Sequence, residues 1–162
     1  MELRIPLDEA VGALRTTGTL PGAVREVHGE AKAVLARVAV HELPGVSGAV
    51  RAATRFTGPV DVRVDDEGIA GRTWTIVVRA SHPVVRLDLS GFVTDAVRSA
   101  LASAPAGLAS VHSADGRTVV EVDLDAAAAL VPLLLPAAQG LHVRVDEVSL
   151  GATVLLRATI TG

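Results

Sequence analysis

An α+β fold, with an antiparallel sheet and helices packed on one of its faces, is the class this sequence predicts. The first observation is strict alternation of apolar and polar residues, as in Val60-Asp61-Val62-Arg63-Val64-Asp65 and Val143-Arg144-Val145-Asp146. Successive side chains point to opposite faces of a strand, so this pattern makes one wet and one dry face, the habit of antiparallel sheets. The second is composition: apolar residues make up 49% before glycine is counted, yet aromatics are only 2%. A core of Val, Leu, Ala and Ile suits a pleated surface, because β-branched side chains are stiff at χ1 and pack well there. The third is a repeat. A strand, a residue able to cap a helix, an apolar-striped helix and two further strands recur about every forty residues, the scale of tandem repeats.

The elements follow in order. Leu3-Arg4-Ile5-Pro6-Leu7-Asp8 reads as a strand ending in a cap, and Ala10, Val11, Ala13 and Leu14 then give a helix over Asp8–Thr16. The second unit has a degenerate signature, Val40-His41-Glu42-Leu43-Pro44, with a cap between Pro44 and Ser47. Its helix, Val46–Arg55, carries Val46, Val50 and Ala53 on the inward stripe. The strand from Val60 turns at Asp65-Asp66-Glu67-Gly68 into Arg72–Val78. Proline cannot donate to a ladder, so Ser81-His82-Pro83 is the expected hinge between pseudo-symmetric halves, 1–82 and 83–162, of one domain.

In the third unit Val85-Arg86-Leu87-Asp88-Leu89-Ser90 precedes a helix over Gly91–Ser103, with Ser90 expected as N-cap. Phe92, Val93, Ala96, Val97, Ala100 and Leu101 make its apolar stripe, and Pro105 and Gly107 stop it. The Asp-Gly pair of Ser113-Ala114-Asp115-Gly116 supplies positive φ for a tight hairpin between Leu108–His112 and Thr118–Leu124. The fourth signature, Val120-Glu121-Val122-Asp123-Leu124-Asp125, places a cap at Asp125 before a helix over Ala126–Leu135 that is apolar all round. Ser149-Leu150-Gly151 turns between the last two strands. The chain is thus a strand followed by four α-β-β units.

Composition excludes several classes. There is no cysteine, so disulfides and thiolate metal sites are ruled out. Net charge is −3, and the arginines are scattered singly along strands rather than gathered on one face as a phosphate-tracking surface requires, so nucleic acid is not expected as a partner. Lys32 is the only lysine; the skew toward Arg reflects a GC-rich, actinobacterial-like composition. Met1 to Pro6 lacks the apolar run of a signal peptide. The apolar stretch Ala126 to Ala138 is interrupted by Pro132 and Pro136 and is too short to span a bilayer. A cytoplasmic protein without a transmembrane segment is the expectation.

Chemistry-bearing motifs are few. His28-Gly29-Glu30 and His41-Glu42 bring histidine near carboxylate, but neighbours on a strand face opposite ways and neither spacing matches a helical zinc pair. Asp65-Asp66-Glu67 lacks the alternating oxygen ligands of a calcium loop, and turn chemistry on a charged rim explains it. Trp74 is the lone tryptophan and reads as a core anchor. No nucleophile elbow and no phosphate-binding glycine loop occurs. Catalytic residues, metal ligands and a cofactor are therefore not assigned, and an enzyme would need His and carboxylates from different repeats to meet.

The remaining signal is apolar surplus. It must be buried inside, against a partner chain, or around an apolar ligand. The leading expectation is a non-enzymatic module holding a lipid or other apolar molecule in an aliphatic groove, lined by Phe92, Val93, Val97, Leu101, Leu130, Leu133 and Leu134. The alternative is a structural protein that assembles into a symmetric homo-oligomer, a dimer or clamp-like ring, through edge strands and apolar helices.

The segment Leu135-Pro136-Ala137-Ala138-Gln139-Gly140-Leu141-His142-Val143-Arg144-Val145-Asp146-Glu147-Val148 resembles the closing segment of LmeA-like phospholipid-binding domains, relatives of the tubular lipid-binding group. That resemblance implies a helix wrapped by a curved sheet with a groove for acyl chains. It carries over no catalytic residue.

Overall fold

The computed structural model describes residues 1–43, 46–84, 88–134 and 140–162, with the side chains of 131–134 outside that description. The chain is α+β with antiparallel sheets. Its order is β1 (Glu2–Pro6), α1 (Leu7–Thr16), β2 (Val24–Gly29), β3 (Ala33–Val38) and a 3₁₀ turn (Val40–Glu42). There follow α2 (Gly48–Thr57), β4 (Val60–Ala70), β5 (Thr73–Ser81), α3 (Ser90–Ala100), β6 (Ala109–Ala114) and β7 (Arg117–Asp123). The chain closes with α4 (Leu124–Leu134), β8 (His142–Ser149) and β9 (Thr153–Thr161).

Two sheets form, one of six strands in the order β2-β3-β4-β5-β7-β6 and one of three in the order β1-β9-β8. Residues 1–82 and 83–162 interleave in both, because β1 pairs β9 and β5 pairs β7. The hairpins do not enter the sheets alike. The β4–β5 hairpin joins its neighbour by its first strand and the β6–β7 hairpin by its second, while β8–β9 leaves to pair with β1. The α-β-β units therefore do not share one pattern of strand pairing. Alternation specifies a strand's dry face but not which edge of a hairpin meets the next one.

The helix caps correct the expected register. Asp8, Ser90 and Asp125 lie inside the first turns rather than at the caps. Asp123 caps α4: its Oδ1 accepts from the backbone N–H of Asp125 (2.8 Å) and Ala126 (2.9 Å). Asp88 serves α3, accepting from Ser90 N–H (3.0 Å) and donor Ser90 Oγ (2.6 Å). The residue between the two polar positions is a buried leucine in three units: Leu7, Leu89 and Leu124. Each of these signatures drives a leucine into the core at the start of its helix, and in α3 and α4 the oxygen two residues upstream of the expected one satisfies the first N–H groups. In α1 that place is Pro6, which has no side-chain oxygen, and Leu7 N–H instead donates to Ala152 O at 3.0 Å. Ser47 caps α2 as expected, accepting from Val50 N–H.

A second correction concerns Asp65-Asp66-Glu67, expected as a turn on a charged rim. All three lie within β4, which runs on to Ala70, and the hairpin turns at Gly71-Arg72. The register shifts between Asp66 and Gly68, and Gly68 takes φ +88°, a β-bulge that glycine permits. Asp66 is buried, with 8% of its surface exposed. Its Oδ1 accepts from Gly68 N–H (2.9 Å) and Trp74 Nε1–H (2.8 Å), and its Oδ2 from Leu150 N–H (2.9 Å). The expected turns at Asp115-Gly116 and Leu150-Gly151 are in place; Asp115 and Gly116 have φ of 50° and 70°.

The core has two clusters. Ala23, Val38, Val40, Val46, Val60 and Leu89 form the first, with Phe92 packed on it. Leu124, Ala128 and Val145 form the second, with Ile69, Trp74, Val148 and Leu156, which fixes Trp74 as a structural anchor between α4 and the small sheet. In α2 the inward residues are Val50 and the fully buried Thr54, while Ala53 is exposed, contrary to its expected place on the stripe. Thr54 Oγ1 donates to Val50 O at 2.8 Å, so a hydroxyl satisfied within its own helix takes the buried position.

Backbone meets backbone where the two sheets join. Ala152 N–H donates to Glu30 O at 2.6 Å, and a Cβ on Gly151 would lie 2.6 Å from Ala31 O. We expect Gly151→Ala to cost about 2–4 kcal/mol, because the obstacle is main chain that cannot rotate away. Gly22→Ala, with nothing within 4 Å of the added methyl, should be near neutral. Urea unfolding of the two variants checks the contrast.

Candidate functional site

An apolar cavity of about 180 Å³ lies between α3 and the middle of the six-stranded sheet. The sheet supplies Val38, Val60, Val62, Val78 and Ala80 as its floor, and α3 supplies Phe92, Val93, Ala96 and Val97 as its roof. The 3₁₀ turn closes one end with Val40 and Leu43. Every lining residue is Val, Leu, Ala or Phe. The cavity follows from composition: short β-branched side chains beneath a helix leave volume that a chain with more aromatics would fill. Beside it a buried hydrogen bond of 2.8 Å between the hydroxyls of Thr94 and Thr118 fixes α3 to β7. Ala96 is exposed, so the lining reaches the surface along the roof.

The expected ligand residues separate into three groups. Phe92, Val93 and Val97 line the cavity together. Leu101 is the C-cap of α3 and is not part of the lining, and Leu130 is a half-buried residue of α4, which packs on β8. The side chains of Leu133 and Leu134, and all of Leu135 to Gln139, lie outside the described residues. The floor, above all Val60, Val62, Val78 and Ala80, was missed by a reading that sought helical stripes. Its signal was present in the alternation of β4 and β5, whose dry faces must meet something.

The opposite face of the large sheet is a charge ladder. Arg37 lies 3.7 Å from Glu26 and 3.2 Å from Asp61, and Arg63 lies 3.0 Å from Glu30 and 2.7 Å from Asp65, which also pairs with Arg79. A shallow depression of about 420 Å³ crosses this face between Glu26, His28, Leu35, Arg37, Asp61 and Arg63. Opposite charges face one another across strands, so the ladder pins register and presents no field of one sign.

Histidines stand close to carboxylates at three exposed or half-exposed places: His28–Glu26 at 3.8 Å, His41–Glu42 at 3.6 Å and His112–Glu121 at 3.9 Å. These separations exceed hydrogen-bond reach. His82 is buried: Val84 N–H donates to its Nδ1 at 3.1 Å, and its Nε2 lies 2.9 Å from Thr57 O. An accepting Nδ1 assigns the neutral tautomer with the proton on Nε2. His82 thus fastens the end of β5 to the C-terminus of α2. Among the described residues no group of three or more His, Cys, Asp or Glu is placed to hold a metal ion. No described helix is long and apolar enough to cross a membrane.

The chain matches no protein-family model, no curated protein and no solved structure.

Several carboxylates are held below their ordinary range. Glu2 is lowered first by its hydrogen bond from Arg157 and then by that from Arg4, Asp125 by Arg72, and Asp88 by the Ser90 hydroxyl and N–H. A carboxyl whose folded pKa lies below its unfolded value, about 4, adds stability that is complete above that value. The contribution is lost as pH falls through the folded value. Melting temperature should therefore fall on acidification below about pH 4, and Glu2→Gln should fall less steeply than the parent over that window. Calorimetric scans across the acid range check this.

Proposed function

We propose that this protein is a non-enzymatic binding module that holds a small apolar molecule, or the end of a longer acyl chain, in the cavity beneath α3. The single observation that carries the reading is a cavity walled entirely by aliphatic side chains and one phenylalanine. Such a space has no partners for water. Dry cavities of comparable size, roughly 150 Å³, take up benzene or xenon. The volume also limits the ligand: drug-sized molecules occupy roughly 300–1,000 Å³, so a whole lipid would fit only with its remainder outside, past the exposed roof residue Ala96. The resemblance of residues 135–148 to phospholipid-binding domains supports the same class of ligand.

Self-assembly through edge strands has weaker support. β2, at one edge of the large sheet, carries a register shift between Val24 and Glu26 together with Arg25, Glu26 and His28. Bulges and charges of this kind are devices that discourage edge-to-edge pairing.

Toluene, as a small apolar probe, should raise the melting temperature of the purified protein, since a ligand at one hundred times its Kd adds about 2.7 kcal/mol. Ala80→Leu, which fills the floor, should abolish that shift while leaving the variant folded. Native mass spectrometry after gentle purification should reveal a co-purifying apolar molecule in the parent and less in the variant. A parent with neither a shift nor a bound mass would refute the reading.

A further inference from the structure

We propose that the outward face of α2 docks on an anionic lipid surface. The helix buries Thr54, with Val50 half-buried, and turns Ala49, Ala52, Ala53 and Phe56 outward. Phe56 is 89% exposed, in a chain whose other phenylalanine lines the cavity. Val84, 84% exposed, belongs to the same end of the molecule. A single imidazole joins the two places, since His82 Nδ1 accepts from Val84 N–H and its Nε2 meets the carbonyl of Thr57, the residue after Phe56.

The charges on α2 are the second observation. Arg51 and Arg55 are exposed, and no hydrogen bond or ion pair holds either guanidinium among the described residues. Each of the other eleven described arginines has a carboxylate or carbonyl partner within 4 Å. The two free cations stand at i and i+4, where like charges repel along a helix, and α2 contains no acidic residue to relieve them. An external anion would.

The chemistry of the face selects the partner. Apolar tips flanked by cations on a short amphipathic helix suit the headgroup–acyl boundary, where Phe enters and Arg meets lipid phosphate. A specific protein interface buries about 800 Å² per partner, more than one face of a ten-residue helix, about 15 Å long, offers. Two cations on a chain of net charge −3 do not make a track for nucleic-acid phosphates. The inference is independent of the cavity reading.

The test is co-sedimentation with vesicles of equal parts phosphatidylglycerol and phosphatidylcholine, against phosphatidylcholine alone. The parent should bind the anionic vesicles and release in high salt. Phe56→Asp should lose about tenfold or more in partitioning. Arg51→Gln and Arg55→Gln should each lose about fivefold. All three should keep the parent's melting temperature, since these side chains are exposed, and Ala80→Leu should still bind vesicles. Equal binding to both vesicle types, or binding untouched by Phe56→Asp, would overturn the proposal. So would absence of binding to the anionic vesicles. A light-scattering mass that Phe56→Asp reduces to the monomer would then assign the face to self-association, and binding to a single-stranded polyribonucleotide that needs Arg51 and Arg55 would assign it to nucleic acid.

Discussion

The two sheets of this chain are joined through one buried carboxylate. Removing an ionised carboxyl from water is costly unless its oxygens are fully used, and Asp66 meets that condition with three N–H donors from separate parts of the fold. Gly68 fixes the bulge in β4, Trp74 fixes the indole over the second core cluster, and Leu150 fixes the β8–β9 turn. Around this point the chain is drawn so close that Gly29 and Gly151 tolerate no side chain. The start of α1 depends on the same junction, because Leu7 N–H donates to Ala152 O beside it. Position of the small sheet, direction of α1 and placement of Trp74 are therefore one constraint.

What the sequence made legible was local. Period-two alternation located β4, β7 and β8, and the Asp115-Gly116 pair marked a hairpin whose positive φ angles are observed; the second unit's signature at Val40 is a 3₁₀ turn and not a strand. The α3 stripe identified Phe92, Val93 and Val97, which meet at the cavity. What it hid was relational. Asp-Leu-Ser and Asp-Leu-Asp each offer two oxygens two residues apart, and only the burial of the intervening leucine decides which of them caps. Asp65-Asp66-Glu67 before a glycine has the composition of a turn. In the fold it is a bulge, with Asp66 turned inward to the donors of Gly68, Trp74 and Leu150. The cavity floor belongs to strands that are distant in sequence, and no helical stripe points to it. Thr54 displaced Ala53 from the inner face of α2 because a hydroxyl bonded to its own helix can be buried.

The same scarcity of aromatics shapes both the cavity and the outward face of α2. Beneath α3 short aliphatic side chains leave an apolar cavity. On α2 they leave a smooth alanine face on which Phe56 is the sole large group. Most other described arginines are paired with carboxylates, along the outer face of the large sheet and between Arg157 and both Glu2 and Glu147. Among the described arginines Arg51 and Arg55 are the exception, and together they give the exposed face of α2 a sign; the lysine, Lys32, stands exposed between β2 and β3.

Amide hydrogen exchange of Asp66→Asn tests the central role of this carboxylate most directly. An amide side chain can keep Oδ1 for Gly68 and Trp74 but turns an N–H donor toward the Leu150 N–H. The Leu150 amide should then lose protection by about thirtyfold or more, roughly 2 kcal/mol for a buried donor left unpaired. The β8–β9 strands should open at lower denaturant than β3, β4 and β5. Unchanged protection at Leu150, with both sheets still opening together, would contradict the account and place the junction's stability in the backbone contacts alone.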